Sequence, residues 1–136
     1  MNQPQKIFFA LLLVGLSSLC LAQKATHNSA ITALGDSLLK QRKYDEAYTF
    51  FSSHAVSASP ALKGSFLLKA GSALLYGRKY AEALLYFRLA KDQAESLGDD
   101  KLLSQALINM GVCYTYLGQL AEGVHHYKQA LPILSR

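Results

Sequence analysis

The feature that most restricts this chain is an internal repeat. Gln41-Arg42-Lys43-Tyr44-Asp45-Glu46-Ala47 aligns with Gly77-Arg78-Lys79-Tyr80-Ala81-Glu82-Ala83 at an offset of 36, and Phe51 falls on Phe87. A third copy, Gly118-Gln119-Leu120-Ala121-Glu122-Gly123, follows at an offset of 40, and Tyr127 falls on Phe87. The register extends upstream: Gly35, Gly71 and Gly111 precede the small residues Ala47, Ala83 and Gly123 by 12, and the aromatics follow these by 4. A fixed period of this length marks stacked units, none of which can bury its apolar face alone.

Within each copy the apolar residues recur at helical spacing, as in Leu67, Ala70, Gly71 and Leu74. Glycine or alanine at the crossing lets two helix backbones approach, and the aromatic fills the remaining wedge. Each copy therefore predicts two antiparallel helices: about 26 to 41 with 44 to 57, 61 to 77 with 80 to 96, and 100 to 117 with 120 to 134. Ser59 is placed to cap the helix that Pro60 opens, Gly98 to end a helix, and Asp99 and Asp100 to put negative charge at the next helix start.

These positions resemble the tetratricopeptide repeat (TPR) family, in its long-repeat form, over about residues 28 to 135. The resemblance implies an all-α fold, a short right-handed superhelix of three antiparallel helix pairs, with repeats at about 28–61, 64–97 and 104–136. The chain departs from the pattern in lacking tryptophan and in carrying His54 where later copies have Ala90 and Ala130. In this family the first helices of the pairs line a concave groove that holds a peptide or a partner helix. That register assigns the groove to Asp36, Leu39, Lys40, Leu68, Ser72, Leu75, Tyr76, Asn109, Val112 and Tyr116. One branch of the family clamps a terminal carboxylate with lysines and asparagines; Thr32, Asp36 and Ser72 stand at those places here, so such a clamp is not expected.

The first two dozen residues differ from the rest. Lys6 precedes an apolar run, Ile7 to Leu16, then Ser17, Ser18, Cys20, Leu21 and Ala22. This is the layout of a signal peptide cut after Ala22, with a run shorter than the ~20 residues a bilayer core needs. Residues 1–22 are thus expected to be removed and 23–27 to link to the repeats, giving an exported, periplasmic or secreted protein without a membrane span. The alternative, a lipid anchor on Cys20, is opposed by the bulky Leu19 before it. After cleavage Cys113 is the one thiol, which excludes an internal disulfide and favours a core position.

Fourteen Lys and Arg against nine Asp and Glu give +5, but the charges are scattered, which is mild basicity and not a nucleic-acid stripe. No nucleophile, base and orienting group assemble, and His125 and His126, adjacent on a helix, point about 100° apart and cannot share a metal. Neither an enzyme nor a cofactor or metal site is expected. The reading is a protein-binding adaptor; the alternatives are the sensory input of an envelope signalling protein and a secretion-type chaperone. Val124, Tyr127, Leu131 and Leu134 on the last helix are expected to stay uncovered and to support self-association or a further partner.

Overall fold

The computed structural model describes residues 1–136 as six helices and no strand: α1 (Gln3–Lys40), α2 (Tyr44–Ser57), α3 (Pro60–Tyr76), α4 (Tyr80–Leu97), α5 (Asp100–Tyr116) and α6 (Leu120–Leu134). The chain forms two compact units, Met1–Ser37 and Leu38–Arg136. α2 to α6 fall within a residue or so of the helices expected from the repeat. α1 does not: it starts at Gln3 instead of about 26, and residues 23–27 are helical and continuous with it. The physical reason is composition, since this stretch is rich in Leu and Ala and its proline, Pro4, sits in the first turn where proline is tolerated. Residues 7–22 are exposed along their length, and α1 contains a window long and apolar enough to cross a membrane, a test that a signal sequence near an N-terminus also passes. The expectation that this run is too short for a bilayer is corrected to that extent.

In the second unit, each helix from α2 onward packs on the next, and α3 also touches α5 directly. The crossings follow the small residues. A Cβ added to Gly71 would meet the Phe87 ring at 2.7 Å, and one added to Gly111 would meet the Tyr127 ring at 2.5 Å. Glycine inside a helix costs about 1 kcal/mol relative to alanine. Here that cost is offset by the aromatic it admits, because burying a ring contributes about 1.5–3 kcal/mol. Ala47, Phe51, Ala83, Phe87, Ala90 and Cys113 are fully buried. Gly123 lies against Thr115 and the Gly111 carbonyl, so α5 and α6 repeat the α3–α4 contact. A further small position was not read from the sequence: Gly64, whose missing Cβ leaves room for Leu102, and Ser104, also buried, stand 40 residues apart.

The turns within pairs close alike. In each, the second residue after the helix takes a left-handed backbone, Arg42 at φ 58°, Arg78 at 62° and Gly118 at 78°. The N–H groups of Lys43, Lys79 and Gln119 reach back to the carbonyls of Leu38, Leu74 and Tyr114, which satisfies the last carbonyls of each helix. Gly98 ends α4 at φ 65° as expected. Asp99 does more than supply charge, since its carboxylate accepts from the Leu102 N–H at 3.0 Å. Ser59 makes no side-chain capping bond; its backbone carbonyl accepts from Leu62 and Lys63 instead, and the expected cap is corrected.

Between α2 and α4, the hydroxyls of Tyr48 and Tyr86 meet at 2.8 Å with their rings edge to face at 5.3 Å. That hydrogen bond, with partial burial, pushes the Tyr86 phenol up to about 12. A phenol whose folded value lies above its ordinary 10 stabilises the fold below pH ~10 and loses that contribution as pH rises toward 12. Expected outcome: stability falls between pH 10 and 12, and Tyr48→Phe flattens this loss in urea melts while costing about 1 kcal/mol at neutral pH.

Candidate functional site

α3 and α5, the first helices of two adjacent pairs, share one wall. Positions 61, 65, 68, 69, 72 and 76 of α3 lie on one helical face, and so do 101, 102, 105, 108 and 109 of α5. With Leu39 and Asp99 these residues line a groove of about 600 Å³. Five of the ten expected groove residues are here: Leu39, Leu68, Ser72, Tyr76 and Asn109. A smaller cavity of about 240 Å³ follows, lined by Leu75, Tyr76, Arg78, Tyr80, Val112 and Tyr116, so three more expected residues join Tyr76 there. The two cavities share Tyr76 as a lining residue. Lys40 is exposed and lines neither. Asp36 and Gly35 belong to the first unit, Met1–Ser37. Ala61, Ser65, Lys69, Lys101, Leu102, Gln105 and Ile108 also line the groove and were missed from the sequence, although Ser65 and Lys69 stand seven and three residues before Ser72, and Leu102 and Gln105 seven and four before Asn109, spacings that carried the signal.

The groove is mixed in chemistry. Leu39, Leu68 and Ile108 provide apolar surface, and the Ser72 hydroxyl donates to the Leu68 carbonyl at 2.9 Å. The amides of Gln105 and Asn109 make no hydrogen bond inside the chain. An amide with donor and acceptor both open matches a peptide backbone group. The charges are Lys69, which lies 5.6 Å from the Phe51 ring, Lys101, and Asp99, which is engaged at the α5 cap.

The tyrosines are arranged by the repeat. Tyr76 packs on Tyr44 at 5.9 Å, and Tyr116 stacks on Tyr80 at 4.8 Å with planes 4° apart. Tyr76 and Tyr116 nonetheless remain 58% and 65% exposed. Large aromatic surfaces held in fixed planes and left in water are the usual anchors of recognition.

The remaining reactive groups have structural surroundings. His54 sets its Nδ1 2.7 Å from the Phe50 carbonyl and stacks on that ring at 4.3 Å. His126 does the same with the Glu122 carbonyl, and its ring is turned 85° from that of His125. No cluster of three or more His, Cys, Asp or Glu stands where it could hold a metal ion. Burial pushes the Cys113 thiol up to about 11, so it is protonated and unreactive at neutral pH.

Helix hairpins stacked through small residues, with their first helices lining a groove, define a helical repeat scaffold for binding. Residues 65–136, more than half of the chain, match the tetratricopeptide repeat family. The chain belongs to that family, whose members generally serve as protein–protein interaction modules. The match begins after the first copy, the one that departs furthest from the pattern. Among solved structures, the TPR domain of Arabidopsis FLU is similar at a TM-score of 0.73 and 22% identity, over 79% of this chain and 94% of that one. The TPR2AB domain of yeast Sti1, solved as a complex with pHSP90, is similar at 0.71 and 21%, over 80% of this chain and 42% of that one. No curated protein matches the sequence significantly.

Proposed function

We propose that this chain is an exported, non-catalytic adaptor that holds an extended peptide of another protein between α3 and α5. The observation that carries the reading is the α3–α5 groove, with open amides on Gln105 and Asn109 and the exposed Tyr76 shared with the neighbouring cavity that Tyr116 lines. α3, at 17 residues, is about 25 Å long, room for roughly seven residues of extended peptide. The complex of yeast Sti1 with pHSP90 supports a role of this class. The test is an array of immobilised octapeptides of randomised sequence probed with the full chain. Binding is expected, and Ser72→Arg, which plants a large cation in the groove, is expected to remove it; binding untouched by that substitution sinks the proposal.

Export rests on Lys6, the apolar run and the small residues before Gln23. Expression in a bacterium with mass determination of the envelope fraction is expected to give a chain starting at Gln23. An intact chain retained in the cytoplasm contradicts this, and a lipid-modified Cys20 would select the anchored alternative.

Self-association is a second proposal, favoured by one comparison. On α4 the stacking residues Leu84 and Ala94 are covered, at 8% and 0% exposure, whereas their counterparts on α6, Val124 and Leu134, are 48% and 58% exposed. Leu120 and Leu131 complete the open strip, while Tyr127 is half-buried over Gly111, contrary to its expected exposure. A second copy covering this strip gives a dimer in light scattering that Val124→Glu with Leu131→Glu dissolves; a monomer at high concentration contradicts it.

A further inference from the structure

We infer that the smaller cavity is a specificity pocket for one bulky apolar side chain of the bound peptide, and that Arg78 at its edge pairs with an Asp or Glu next to that side chain. The inference rests on the groove reading and adds the sequence class of the partner. At about 240 Å³ the cavity is smaller than the ~300–1,000 Å³ of pockets that enclose whole small molecules, which suits a single side chain. Its walls are Leu75, Val112 and the rings of Tyr76, Tyr80 and Tyr116. The ring contacts with Tyr44 and between Tyr80 and Tyr116 fix these planes before anything binds, which lowers the ordering cost of binding.

Arg78 is the charged residue of the pocket, is exposed, and takes part in no ion pair of the chain. It also occupies a left-handed backbone position at φ 62°, where the third copy uses Gly118. A side chain there is strained, and the fold is served as well or better by glycine. Strain kept at the edge of an open cavity points to a use for the side chain. The first copy carries the same strain at Arg42, φ 58°, yet the places matching Tyr76 and Val112 hold Lys40 and Ser72. That site is polar, so the apolar pocket with a single cation occurs between repeats 2 and 3. A guanidinium beside an apolar pocket recognises a carboxylate through paired N–H donors.

The octapeptide array on the full chain tests this. Among peptides that Ser72→Arg releases, an apolar residue next to Asp or Glu is expected to be enriched. Arg78→Glu should weaken those peptides about tenfold, the loss of a charge-assisted hydrogen bond, and shift the preference to an apolar residue next to Lys or Arg. Arg78→Gly should remove the acidic preference while raising the melting temperature, a combination that a purely structural role does not produce. If Ser72→Arg releases peptides but they show no apolar–acidic preference, or the preference survives both Arg78 substitutions, the pocket assignment fails and the groove stands. If no peptide depends on Ser72, the groove fails and this inference with it.

Discussion

Phe87→Ala is expected to remove about 3–5 kcal/mol of stability, the cost of an emptied aromatic site in a packed core. Phe87 is fully buried, with its ring in the space that Gly71 leaves open. Against a usual total of about 5–15 kcal/mol, this leaves a marginal protein. Leu85, two residues away and exposed, should cost less than about 0.5 kcal/mol when cut to alanine. The pair Gly71 and Phe87 makes the test sharper. Gly71→Ala alone adds a methyl 2.7 Å from the ring and should destabilise, although alanine is the better helix former by about 1 kcal/mol. In a Phe87→Leu background the clash is relieved and the same change should become neutral or stabilising. Urea unfolding of the four variants reads this reversal of sign. Additive effects would mean that the glycine does not make room for the ring.

The second large effect concerns binding. Tyr76→Ala with Tyr116→Ala should weaken groove-bound peptides by about a hundredfold or more, since each exposed aromatic anchor contributes about 2 kcal/mol. Both rings are mostly in water, so the double variant loses the Tyr44 and Tyr80 ring contacts but no core. Thermal unfolding should change far less than affinity. Isothermal titration with the tightest array peptide measures the first and calorimetric melting the second; unchanged affinity would remove the tyrosines from the site.

Most of this architecture was legible because the repeat marks its own joints. Gly71 and Gly111 locate helix crossings, Phe87 and Tyr127 identify the partners, and α3 to α6 follow from those anchors, as α2 does from Ala47 and Phe51 of the first copy. What escaped lies where local chemistry had two outcomes. The start of α1 was set by helix-forming residues that continue upstream of the repeat. The cap expected from the Ser59 side chain went to its own backbone carbonyl. The groove was half read for a different reason. Its expected residues were taken near the repeat glycines, late in each helix, while Ser65, Lys101 and Gln105 sit one to three turns earlier on the same faces. Arg42 and Arg78 carried no sign in sequence of their left-handed backbone; Gly118, their counterpart in the third copy, was the available hint.

The central claim is that the α3–α5 groove holds the partner, and site-directed photo-crosslinking tests it most directly. A benzophenone amino acid placed at Gln105, which lines the groove, should crosslink to the tightest array peptide, and the same group at Leu85 on α4, outside both cavities, should not. Capture from position 85 with none from position 105 would contradict the account.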